Sequence, residues 1–111
     1  MIIIIRVVLD MNSSKVKGNG FERECVNKAK IKGIPSKRAY ASDGRSLGKC
    51  SEVDIVVGDW DIQCKRRKKI ASYLQIPDGV DAVCFREDNG RALMLIDYDD
   101  FIDCLALNRL E

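Results

Sequence analysis

The stretch V-D-I-V-V-G-D-W-D-I-Q-C-K, residues 53–65, constrains the fold more than any other part of the chain. Val53 to Val57 is a β-branched apolar run, and Gly58-Asp59 is a turn pair that permits a tight reversal. Beyond it the residues alternate. Trp60, Ile62 and Cys64 fall on one face, and Asp61, Gln63 and Lys65 on the other, the period-two pattern of a half-buried strand. A β-hairpin is therefore expected, with the polar side chains of its second strand gathered on one side.

The remaining segments arrange themselves around that hairpin. M-I-I-I-I-R-V-V-L-D (1–10) reads as an additional strand or as an extension ahead of Met11. It is too short for the roughly twenty apolar residues of a bilayer span and lacks the cationic lead of a signal peptide, so no membrane association is expected. Residues 12–20 are polar with two glycines and read as a loop. From Phe21 to Lys32 the period is helical, with Phe21, Cys25, Val26 and Ala29 inward and Glu22, Arg23, Lys28 and Lys30 outside, ending at Gly33 and Pro35.

Residues 37–42 make a short strand, and 43–51 a flexible loop. Residues 66–75 read as a helix, and Pro77-Asp78-Gly79 as a turn. A second hairpin is expected from 81–86 and 91–98 about Asp88-Asn89-Gly90, and a last helix over 101–107 behind capping carboxylates at 97, 99 and 100. The order β-α-β-β-β-α-β-β-α predicts one α/β domain over 1–111, a central mixed β-sheet flanked by helices. Trp60 and Tyr73 are expected in the core or an interface rather than as base-stacking platforms.

Apolar residues at 46% and charged residues at 32% exclude a disordered chain. The net charge of +2 conceals a segregated distribution. Residues 15–38 hold eight Lys or Arg against two Glu, Lys65 to Lys69 are five consecutive cations, and residues 78–111 hold nine acids against three Arg. A basic pole of this kind addresses a polyanion. With five cysteines in no CxxC pair and no histidine, a zinc site is disfavoured, and reduced thiols in a cytosolic protein are expected.

Asp54, Gln63 and Lys65 supply a carboxylate, an amide oxygen and an ammonium close together on adjacent strands, with the Cys64 carbonyl between the last two. Oxygen donors of that type suit a hard divalent cation. Such a cation is what phosphodiester hydrolysis needs, and the cations after it suit a nucleic-acid backbone. Glu22, borne on the helix, is placed to complete the site through a water.

Three segments resemble the PD-(D/E)xK nuclease superfamily, and within it the archaeal and phage-type Holliday junction resolvases. K-G-N-G-F-E-R-E (17–24) resembles their first-helix motif, A-S-D-G-R-S (41–46) their loop before the motif strand, and V-D-I-V-V-G with I-Q-C-K-R-R-K-K the core. The resemblance implies a restriction-endonuclease-like fold over nearly the whole chain and a homodimer resolving four-way junctions in the cytoplasm, the host's if phage-encoded. It assigns catalysis to Glu22, Ser42, Asp54, Gln63 and Lys65. Mg²⁺, with Mn²⁺ as a substitute, would be held by Asp54, Gln63, the Cys64 carbonyl and, through water, Glu22. DNA contacts fall to Lys15, Lys17, Arg23, Arg45, Lys49, Arg66, Arg67, Lys68 and Lys69.

Two positions depart from the pattern. Val53 stands where the motif has proline, and Gln63 where it usually has an acid, which removes one negative charge; Glu52, two residues before Asp54, is placed to compensate. The alternatives are another nuclease of the superfamily acting on duplex DNA, or a DNA-binding module that Gln63 has left catalytically impaired.

Overall fold

The computed structural model describes residues 13–110, so the expected strand over 1–10 lies outside the described part. The described residues form two compact units that divide between Arg66 and Arg67. In the first unit, helix α1 (Ser13–Ile31) is followed by a three-stranded antiparallel sheet of β1 (Ser36–Arg38), β2 (Ile55–Val57) and β3 (Trp60–Ile62), in the order β1-β2-β3. Helix α1 packs on β1 and β2.

The helix begins eight residues before its expected start at Phe21, running through what reads in the sequence as a glycine loop. Gly18 and Gly20 each cost a helix interior about 1 kcal/mol relative to Ala, which the continued ladder and the buried face beyond them outweigh. That face also differs from expectation. Cys25, Val26 and Ala29 are buried, but so is Glu22, at 3% exposure, because partners described below take up its charge. The core is completed by Ile34, Ala39, Val53, Ile55 and Val57, and the Ser36 hydroxyl donates to the Val26 carbonyl at 2.9 Å, tying β1 to the helix.

The β2–β3 hairpin forms as expected, with Ile55 opposite Ile62 and Val57 opposite Trp60. Gly58 takes the left-handed φ of 57° that the turn requires. Trp60 is 54% exposed, so it is not part of this chain's core. The strand expected over 37–42 ends at Arg38, giving way to a 3₁₀ turn at Tyr40–Ser42 and a second at Gly44–Leu47.

Gly44 is buried beneath this loop. A methyl group there would stand 2.1 Å from the Cys50 carbonyl oxygen and 2.7 Å from the Val53 Cβ. Overpacking of that kind is relieved only by backbone movement, so Gly44→Ala is expected to lose about 2 kcal/mol of stability. The urea midpoint reads this, and a midpoint equal to that of the native sequence would show that the loop yields freely.

The second unit contains an antiparallel pair, β4 (Ala82–Phe85) and β5 (Leu93–Ile96), and helix α2 (Tyr98–Leu110). Asn89 at φ 62° and the Gly90 N–H bond to the Glu87 carbonyl make the expected hairpin turn. Asp97 caps α2, its carboxylate accepting from the Asp99 N–H at 2.8 Å. Ile102 is buried, and Leu107 is exposed.

Between the units' regular elements, the helix expected over 66–75 is absent, replaced by a single 3₁₀ turn at Ser72–Leu74. Five adjoining cations repel at helical spacing, and Ile70 and Tyr73, which would have formed its apolar face, are exposed. The expected mixed sheet is likewise replaced, among the described residues, by two separate antiparallel sheets. The chain is a small α/β protein.

Candidate functional site

Of the predicted residues, Glu22 and Ser42 meet in one cluster of the first unit, and Asp54 and Gln63 lie in a second. The first centres on Glu22. Ser42 Oγ donates to its carboxylate, 2.7 Å from Oε1 and 2.9 Å from Oε2, and Arg38 Nη2 lies 3.5 Å from Oε2. Ala41 and Ser42 both adopt left-handed φ values, 52° and 54°. This unusual pair of non-glycine residues aims the hydroxyl at the helix.

Arg38 was missed in the sequence. One cation among many in a basic segment carried no signal, and only the strand-to-turn break after it brings it to Glu22. Its Nε is buried without a hydrogen-bond partner. A cleft of about 830 Å³ opens beside this cluster, lined by Asn19, Arg38, Tyr40, Ser42, Ser46 and Leu47 among others.

The second cluster lies where the hairpin ladder ends. Asp54 N–H donates to the Ile62 carbonyl at 2.9 Å and its own carbonyl accepts from Ala39 N–H at 2.8 Å. The Cys64 N–H is not spent on a main-chain carbonyl. It donates to Asp54 Oδ2 at 2.7 Å, so backbone rather than another side chain holds the carboxylate. Gln63 turns its amide toward Glu52, Nε2 to Oε2 at 2.7 Å. Glu52 belongs to the turn closed by the Val53 N–H to Cys50 carbonyl bond, not to the strand face from which the sequence placed it.

Cys64 connects the clusters. The neighbouring Cys25 thiol, then burial, then the charges of Asp54 and Glu22 push its thiol well above the usual range. All five cysteines are free.

The expected phosphate contacts are placed unevenly. Arg45 is engaged by the Asp43 carboxylate through Nε and Nη2, and Lys49 by Asp61 at 3.4 Å. The Asp43 carboxyl is held below its ordinary range by that bond to Arg45. Arg23, Lys65 and Arg66 are exposed in the first unit, and Arg67, Lys68 and Lys69 in the second. Lys15 and Lys17 lie in α1, with side chains outside the described part.

Among the described residues no three Cys, Asp or Glu side chains converge as a metal site. The donors at the second cluster are nonetheless oxygens of the kind that Mg²⁺ takes: the Asp54 carboxylate, the Gln63 amide, the Cys64 carbonyl and the adjoining Glu52 carboxylate. Among the described residues no helix is long and apolar enough to cross a membrane. No protein-family model, no curated protein and no solved structure matches the chain.

Proposed function

We propose that the chain is a Mg²⁺-dependent endodeoxyribonuclease with a restriction-endonuclease-like core, acting as a homodimer on branched DNA such as four-way junctions. The observation that carries this reading is the Asp54 carboxylate, fixed by the Cys64 N–H just past the end of β3, with Gln63 beside that amide in sequence and Lys65 just after it. Pre-fixed oxygen donors are what a metal-assisted hydrolase requires.

A bound Mg²⁺ would polarise the phosphoryl oxygen and lower the pKa of the attacking water. Asp54, Gln63 and the Cys64 carbonyl would hold it. Lys65 offsets the charge that grows on the phosphoryl group, and Glu22, through Ser42 and Arg38, positions the wall of the adjoining cleft. The cation run from Lys65 to Lys69 supports contact with a phosphate backbone. Exposed Met94, Ile96 and Leu107 support burial against a second copy.

A second reading has its own observation. Both Glu22 oxygens are taken by Ser42 and Arg38, and no three acids or thiols converge among the described residues, as suits a DNA-binding module without activity.

Cleavage of a synthetic four-way junction, compared with linear duplex, separates the two. Paired nicks in junction strands are expected with Mg²⁺ or Mn²⁺ and none with chelator. Tight binding without cutting in either metal would leave only the binding module. Five phosphate contacts predict a fall in affinity of roughly 10²–10³-fold between 50 and 200 mM salt. An affinity insensitive to salt would remove the nucleic-acid reading entirely.

A further inference from the structure

The second unit carries a pocket that the nuclease reading does not use. It has a volume of about 660 Å³, within the usual range for a ligand site, and is lined by Tyr73, Phe85, Arg86, Glu87, Arg91 and Leu93. Tyr73 and Phe85 form its aromatic wall, their ring centroids 6.4 Å apart and tilted by 60°. Tyr73 remains 68% exposed, so it is no core residue of this chain.

The charge around this wall runs against its surroundings. Residues 78–111 hold nine acids and only three Arg, yet two of those Arg line this one pocket. Neither Arg86 nor Arg91 makes an ion pair among the described residues, although Glu87 lies between them in sequence at the pocket's edge.

An exposed ring leaning on a second ring, with two guanidiniums beside it, has a definite chemical complement. The ring face and Leu93 take a flat apolar surface, and the arginines take the anion attached to it or stack on its plane. An unpaired base on a phosphate backbone presents both groups at the spacing of one nucleotide. A buried lipid or peptide side chain would use the apolar wall and leave both charges idle.

We propose that this pocket stacks an unpaired nucleobase of a DNA strand on Tyr73, with Arg86 and Arg91 on the flanking phosphate. The proposal rests on the reading of the chain as a DNA-acting protein and adds a base-recognition site to it, one suited to the unstacked bases of a branch point.

The test compares a fluorescent thymidine oligonucleotide with an abasic oligonucleotide of the same length, which keeps the phosphates and lacks the bases. The full chain is expected to bind the base-bearing strand about tenfold more tightly, the worth of one stacked base. Tyr73→Ala is expected to abolish that preference while leaving abasic affinity unchanged, and Tyr73→Phe to keep it. Because Tyr73 is exposed, the Ala variant should melt with the native chain, as circular dichroism verifies.

Equal binding of both strands by the native chain, or equal weakening of both by Tyr73→Ala, would overturn the pocket and leave the nuclease reading standing. Competition by free deoxythymidine monophosphate at the oligonucleotide's own affinity would make this a mononucleotide site and overturn the strand assignment. Binding of neither strand would overturn the pocket alone, whereas junction cleavage that survives Tyr73→Ala with the base preference lost supports two separable sites.

Discussion

Asp54→Asn is expected to leave the protein folded and to slow Mg²⁺-dependent cleavage of a four-way junction by about 10³-fold or more, equivalent to about 4 kcal/mol of barrier. The substitution is nearly isosteric. An asparagine oxygen still accepts the Cys64 N–H that now reaches Oδ2 at 2.7 Å, so the end of the hairpin keeps its hydrogen bond. What disappears is the charge. With the new amide, Gln63 and the Cys64 carbonyl all neutral, and Glu52 engaged by the Gln63 amide, a divalent ion would bind weakly, and the several kcal/mol that a metal contributes to phosphoryl chemistry would go with it.

Single-turnover cleavage measures the rate, and gel-shift binding with a thermal melt controls for fold. Activity within tenfold of the native chain, at unchanged binding, would remove Asp54 from the chemistry.

Glu22→Ala is expected to act differently, as a loss of stability of about 3 kcal/mol and a fall in melting temperature of roughly 10–20 °C. Glu22 is buried and accepts from Ser42 at both oxygens, and it offsets the Arg38 guanidinium, one of whose nitrogens already lacks a partner. Truncation strands that cation. Arg38 is 26% exposed, so water recovers part of the loss and the effect falls at the low end for a broken buried pair. Glu22→Gln, which retains an acceptor for Ser42, should lose less. A melt of Glu22→Ala within about 2 °C of the native chain would mean that Arg38 and Ser42 find other partners unaided.

The two hairpins and the last helix were legible because each is specified within a few residues. Gly58-Asp59 between β-branched and alternating runs, Asp88-Asn89-Gly90, and Asp97 ahead of Tyr98 all act locally. Helix α1 was legible only from Phe21, because glycine propensity is weak against a continued ladder. The helix expected after Lys65 failed for the opposite reason. An apolar spacing of Ile70, Ala71, Tyr73 and Leu74 was credited without the repulsion among five cations ahead of it.

At the candidate site, the hairpin that leads into Gln63 and Lys65 was legible, although β3 stops at Ile62, short of the expected Lys65. The partners of the site residues were not. The Cys64 amide, Glu52 in its turn and Arg38 beside Glu22 follow from where strand pairing stops, and that depends on contacts distant in sequence.

The consecutive left-handed residues Ala41 and Ser42 have a consequence for evolvability. Each costs on the order of 1 kcal/mol in a residue with a side chain, and glycine at 41 would relieve one at no steric expense. The hydroxyl at 42 is held in an uphill backbone by the turn's own hydrogen bonds and by a buried carboxylate, so the shape of the cleft depends in part on one charge on a neighbouring helix. Drift at position 22 therefore reshapes a wall it does not itself line, and the two segments can change only together.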